Sequence, residues 1–274
     1  MLRTRPQVIS GVATVVADWV ETRLLKLRQS NHDTLSVNPF LLPLLMHLHN
    51  HQTFTEVASF VLVAHFGVGH STGFGKLFDE KILPGVFGCT KLDAQYRRRA
   101  PFSSSMFDEI DHLVRRPSGH LTLLSLKSSR WTIQLTMAKQ LNATFANLLD
   151  KRSRNELQFD DIVLGVIYGG QDGLTDKYRL VRGIDNAVGH SVVNISSHVS
   201  VHAGKQFWAW LNEDDLTQDW IMQGIISGIS HAKTRPAEIQ RLLTTFQKSF
   251  EDQYRDCVDG DGKVNWIKMI NLLN

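Results

Sequence analysis

The stretch "FDEIDH" (Phe107–His112) carries Glu109 and Asp111, and "LTLLSLK" (Leu121–Lys127) closes an oily run on Ser125 and Lys127. Between them, "RRPSGH" offers Pro117 and Gly119, residues that fold one strand back on another. Side chains alternate along a strand, so Glu109 and Asp111 share one face, as do Ser125 and Lys127 on the return strand. A register that sets Asp111 opposite Ser125 puts the carboxylate and the ammonium one diagonal step apart, within reach of a common phosphate. A lysine and an acid at a buried edge are costly unless compensated, and a divalent cation with a phosphodiester would compensate them. Asp111 would then hold Mg²⁺, a hard ion suited to oxygen, with Mn²⁺ as a substitute. Lys127 would orient the attacking water or help deprotonate it. By spacing alone, a strand-end ion pair between Asp111 and Lys127 is the commoner explanation of so short a motif.

The chain has 274 residues, 42% of them hydrophobic, ample for a sizeable core. Nothing approaches the roughly 18 uninterrupted apolar residues of a membrane span, and Arg3 and Arg5 precede no apolar leader, so a soluble cytoplasmic protein is expected. Cys89 and Cys257 have neither disulfide-framework nor zinc spacing. A formal charge of +3 says little, because nucleic-acid binding depends on clustered charge.

From Gln7 to about His65 the apolar residues recur at helical spacing, as in Val8, Val12, Val15, Val16 and Trp19, with "SVNPF" (Ser36–Phe40) as a breaker. The centre alternates short apolar runs with turns. Strands are predicted near Phe107–Val114, His120–Lys127, Ile162–Tyr168, Lys177–Arg182 and Val192–Ile195. One helix interrupts them, over Thr132 to Leu149, with Ile133, Met137, Leu141, Phe145 and Leu148 as its apolar stripe. After Gly204 helices return, at Gln206–Leu211, Leu216–His231, Pro236–Tyr254 and from Val264.

The arrangement of Asp111, Ser125 and Lys127 resembles a variant of the PD-(D/E)xK nuclease core. Its surroundings resemble the type II restriction endonucleases of the EcoO-one-hundred-nine type, which cut RGGNCCY. The blocks that carry the likeness are "TGFGKLFDEKILPGVFG" (Thr72–Gly88), "FDEIDH", "LLSLKSSRWTIQLTMAKQLN" (Leu123–Asn142), "GLTDKYRLVRGI" (Gly173–Ile184) and "GKQFWAWLN" (Gly204–Asn212), with "SVNPF" before them. They run in order over nearly the whole chain, which is more specific than the short active-site match.

The resemblance implies a fold and an organisation. The fold is an α/β restriction-endonuclease-like core, a mixed central sheet flanked by helices, with helical N- and C-terminal regions forming a dimerisation part. The expected divisions are a helical region over 1–66, the catalytic core over 67–203, and a helical region over 204–274 packing on the N-terminal helices. The implied activity is Mg²⁺-dependent cleavage of double-stranded DNA by a homodimer at an interrupted palindrome, leaving 5′-phosphates. A cytoplasmic, prokaryotic restriction-modification system follows, with a DNA methyltransferase as system partner. Asp111 becomes the metal-binding acid, Lys127 the catalytic lysine, and the Leu126 carbonyl a further metal ligand.

Ser125 departs from the pattern, which has Asp or Glu there. The second carboxylate then comes from Glu80 in "FDEK", the favoured source, or from Glu109, unless one well-held metal suffices. Ser128, Ser129, Arg130 and Gln134 stand at a helix entry, where free amides suit a phosphate. Arg130 would read guanine or clamp the backbone, and Ser129 would bind DNA or cap the helix. "YGGQDGLTDKYR" sets Thr175, Lys177 and Arg179 after a glycine-rich turn, and "GHSTGFGK" offers Thr72 and Lys76 on what is read as a DNA-facing loop. "YRRRA" (Tyr96–Ala100) is the densest positive cluster, a phosphate contact or a solvated turn. Two readings stay beside the restriction enzyme: a noncatalytic sequence-specific DNA-binding protein with a decayed core, and a structure-specific repair nuclease.

Overall fold

A computed structural model describes residues 2–29, 40–51, 53–129, 133–184, 189–232, 236–261 and 263–272. Arg130, most of "SVNPF" and the expected helix start at Thr132 lie outside these. The helices are α1 (Arg5–Gln29), α2 (Leu42–Leu48), α3 (Phe54–Leu77), α4 (Leu135–Ser153), α5 (Lys177–Arg182), α6 (Lys205–Asn212), α7 (Thr217–His231), α8 (Pro236–Gln253) and α9 (Trp266–Leu272). A π-helix (Phe78–Val86) extends α3. The strands are β1 (Thr90–Lys91), β2 (His112–Arg115), β3 (Leu121–Lys127), β4 (Asp161–Val166) and β5 (Val199–Ala203).

The five strands form one mixed sheet in the order β1-β2-β3-β4-β5. The hairpin side is antiparallel, and β3, β4 and β5 run parallel. This is the mixed α/β centre flanked by helices that the sequence pattern predicts. On one face Leu123, Ile162, Leu164, Val166, Val199 and Val201 pack with Leu141, Phe145 and Leu148 of α4 and with Tyr178, Leu180 and Val181 of α5. On the other face α6 lies so close that a Cβ on Gly165 would stand 2.4 Å from the Phe207 ring. The central strand β4 is a nearly continuous apolar run because both of its faces are covered, whereas Ser200 and His202 alternate with buried residues along β5.

The chain divides into two compact units, one of Met1–Val16 with Gly75–Ser230, the other of Ala17–Phe74 with His231–Asn274. The first holds the sheet and also α6. The second has its own core, in which Leu42, Val57, Val61 and Leu62 meet Phe246, Phe250, Tyr254 and Met269.

Several sequence expectations are corrected. Lys177–Arg182 is a helix that buries Tyr178, Leu180 and Val181, and Gly183 ends it at φ 68°. Val192–Ile195 is not a strand. The Asn142 side chain claims its backbone instead, accepting from Val193 N–H and donating to Val193 O, each at 2.8 Å. The fifth strand is Val199–Ala203. The expected Phe107–Val114 strand begins only at His112, after a 3₁₀ turn over Ser105–Phe107. "GHSTGFGK" lies on α3, not on a loop. The helical run Thr55–Val86 is, by length and composition alone, apolar enough to cross a membrane.

Gly165→Ala forces a methyl group into the Phe207 ring, and overpacking of this kind costs about 1–3 kcal/mol. Urea unfolding should show that loss, and Gly165→Ala with Phe207→Leu should recover part of it.

Candidate active site

The β2–β3 hairpin pairs His112 with Leu124, Leu113 with Leu123, Val114 with Thr122 and Arg115 with Leu121. One step past the last pair, Asp111 N–H donates to Leu124 O at 2.8 Å. The Leu126 N–H donates to Asp111 Oδ2 at 2.6 Å, so backbone and side chain of the acid are both fastened across from Ser125. Burial pushes the Asp111 carboxyl above its ordinary range. The Leu126 N–H and the Lys127 ammonium pull it down without cancelling the burial, and the charge of Asp79 adds to the rise.

Glu109 reaches Lys127 from the turn before β2 rather than from a strand. Its Oε2 stands 3.8 Å from Lys127 Nζ, with side-chain exposures of 20% and 14%. Its Oε1 accepts a hydrogen bond from Gln140 Nε2 of α4 at 2.8 Å. Arg97 fixes the turn beneath it, donating to Phe107 O at 2.6 Å and to Ile110 O at 2.7 Å. One arginine of the basic cluster therefore has a structural task. Neither it nor Gln140 was singled out by the sequence, because both act through contacts that no spacing displays.

Behind β2, the fully buried His112 hydrogen-bonds Asp79 Oδ1 through Nε2 at 2.8 Å, and Lys91 pairs with the other Asp79 oxygen. Burial raises the Asp79 carboxyl, but the hydrogen bonds and charges of His112 and Lys91 outweigh it and hold Asp79 below the usual range. Asp79, next to the favoured Glu80, is thus the acid that faces the sheet. Glu80 is exposed, and no hydrogen bond or ion pair among the described residues joins it to the cluster.

No family model matches the chain, and no curated protein matches it. What the arrangement can do is therefore read from its own atoms.

Ser125 is fully buried, and its Oγ has no hydrogen-bond partner. A buried acid raised by desolvation, a second carboxylate and an unpartnered hydroxyl suit an oxygen-seeking cation. Among the described residues no three His, Cys, Asp or Glu side chains converge on one point, so no closed side-chain cage forms. Mg²⁺ needs none, because it keeps several waters and uses one or two carboxylates plus substrate phosphate. Asp111 and Glu109 with main-chain oxygens and water fit that pattern.

The other expected residues are distributed more widely. Ser128 and Ser129 follow β3 directly, and the Ser129 carbonyl accepts from the buried Tyr178 hydroxyl at 3.0 Å. Gly75 of α3 lies against Ser128, a Cβ there standing 3.9 Å from the serine Cβ, so the exposed Lys76 is close in sequence to a residue touching the end of β3. Gln134, not Ser129, occupies the N-cap of α4, exposed and without a side-chain capping bond. Thr72 is exposed on α3. Thr175 has its Oγ1 buried and unpartnered, Lys177 pairs with Asp176 at 3.7 Å, and Arg179 is exposed. Lys177 and Arg179 lie on α5, so the expected alternation along a strand is lost.

Because the folded chain raises the Asp111 carboxyl, it binds that proton more tightly than the unfolded chain does. Stability from this group is present at low pH and is lost as pH rises into and through the raised folded range. In EDTA, Asp111→Asn should therefore be more stable than wild type at pH 7, with the gap shrinking as pH falls through the raised folded range and gone below the ordinary carboxylate range; unfolding curves at several pH values measure it. Arg97→Ala removes two hydrogen bonds from a charged donor and should cost about 1.5–3 kcal/mol in the same assay.

Proposed function

We propose that this chain is a Mg²⁺-dependent type II site-specific endodeoxyribonuclease with a PD-(D/E)xK core, cutting double-stranded DNA at an RGGNCCY-like interrupted palindrome and leaving 5′-phosphates. The observation that carries the reading is the hairpin register: Asp111, one residue before β2, stands across from Ser125 and is tied to β3, the strand that carries Ser125 and Lys127 on one face. The collinear sequence blocks supply the substrate and the site.

Asp111 and Glu109 would hold the ion, with the Leu126 carbonyl as a further oxygen donor. Bound there, Mg²⁺ supplies Lewis-acid stabilisation of the charge that develops on the phosphate oxygens. Lys127, whose ammonium has three donors and no acceptor, orients the attacking water and a phosphate oxygen together. Glu109 keeps that ammonium in place. Lys76, Ser128, Ser129 and Gln134 are the residues assigned to the DNA backbone near the lysine, with Arg130, Thr72, Thr175, Lys177 and Arg179 as further DNA contacts.

A palindrome calls for twofold symmetry, so a homodimer, each subunit cutting one strand, completes the reading. The helical parts outside the sheet are assigned to dimerisation. The setting is the cytoplasm of a prokaryote, with a DNA methyltransferase protecting the host sites.

Ser125 favours one other reading, a protein that binds the same DNA without cutting it. Digestion of plasmid DNA by the purified protein in Mg²⁺ or EDTA, with sequencing of the fragment ends, separates the two. Discrete Mg²⁺-dependent ends within RGGNCCY-like sites are expected. Intact plasmid under conditions where a gel shift demonstrates binding would leave the noncatalytic reading.

A further inference from the structure

We propose that Gln140 is the positioning residue for the second acid of this site: from α4 it holds Glu109 against Lys127, so that Glu109 supplies the carboxylate that Ser125 lacks. The inference rests on the nuclease reading and names how its metal site is completed.

Ser125 offers a neutral hydroxyl, buried and without a hydrogen-bond partner, where the motif has an acid. Glu109 stands on an irregular turn, and its long side chain loses rotamer freedom when it is held in one place. Two contacts hold it: Oε1 accepts from Gln140 Nε2 at 2.8 Å, and Oε2 faces Lys127 Nζ at 3.8 Å. The first is the shorter and is directional, so it sets which way the carboxylate points.

Gln140 can do this because α4 is locked. Ala138 and Leu141, on either side of it, are fully buried in the sheet core, which fixes the helix rotation and leaves Gln140 on the outer face toward the turn. The residue type also matters. An amide NH₂ donates to a carboxylate without adding charge. A glutamate at 140 would repel Glu109, and a lysine would compete with Lys127 for it. Arg97 holds the backbone of the same turn through Phe107 O and Ile110 O, so backbone and side chain of Glu109 have separate anchors.

The test is calorimetric titration of the full-length protein with Mn²⁺ alone, using wild type, Gln140→Ala, Glu109→Gln and the double variant, with thermal midpoints recorded for each. Gln140→Ala should bind Mn²⁺ about tenfold more weakly, the low end for loss of an outer hydrogen bond to a metal-binding group, with its midpoint unchanged. Glu109→Gln should lose at least as much. The double variant should be no weaker than Glu109→Gln, because Gln140 acts only through Glu109. Unchanged Mn²⁺ affinity in Gln140→Ala, or losses that add in the double variant, would overturn the inference while leaving the nuclease reading intact. Wild-type protein that binds no Mn²⁺ would overturn both.

Discussion

The pairing of β2 with β3, carried one residue beyond the strand, is the constraint on which the site depends. Asp111 N–H to Leu124 O and Leu126 N–H to Asp111 Oδ2 are two bonds that together set a carboxylate across from Ser125 and beside the strand that ends in Lys127. A slip of one residue would turn Asp111 to the opposite face. Register is protected because Leu113 and Leu123 belong to the core under α4, while Leu124 and the buried His112 alternate with them on the other side.

That arrangement works against local stability. Asp111 is desolvated enough to raise its carboxyl, and Ser125 leaves a buried hydroxyl unpartnered. Groups of this kind persist where neighbouring structure holds them, and they gather where charge chemistry is done. Here the support comes from both sides of the sheet. The Asp79 contacts to His112 and Lys91 fasten β1 and β2 from behind, and Arg97 ties down the turn that leads into β2. With β1 beside β2 and the parallel strands β4 and β5 beyond β3, the hairpin lies inside the sheet rather than at its edge.

Much of this was legible in the sequence, for identifiable reasons. The hairpin could be read from Pro117 and Gly119 between two apolar runs, and the α4 stripe from the regular recurrence of Leu141, Phe145 and Leu148. Lys177–Arg182 misled because alternating polar and apolar residues over six positions fit a short helix as well as a strand. Val192–Ile195 misled because the Val193 backbone bonds the Asn142 side-chain amide of α4 instead of a neighbouring strand. In the site, Asp111, Ser125 and Lys127 could be placed because Ser125 and Lys127 alternate along β3 and Asp111 continues the register of β2 by one residue. That Glu109 reaches Lys127 while Glu80 stays exposed could not be read that way, since a π-helix and an irregular turn have no pattern that tells where a side chain will point. Gln140 and Arg97 were hidden for a different reason: one reaches across from a regular helix to a turn and the other donates to backbone carbonyls, contacts that periodicity does not show.

Single-turnover cleavage of an RGGNCCY duplex by wild-type and Lys127→Ala protein, with DNA binding measured on the same samples by gel shift in Ca²⁺, tests the nuclease assignment most directly. Cleavage by the wild type in Mg²⁺, with a loss of at least about a hundredfold in rate and retained binding in the variant, is the expected result. Equal cleavage by both proteins would contradict the role given to Lys127, and tight binding with no cleavage by the wild type would contradict the catalytic site altogether.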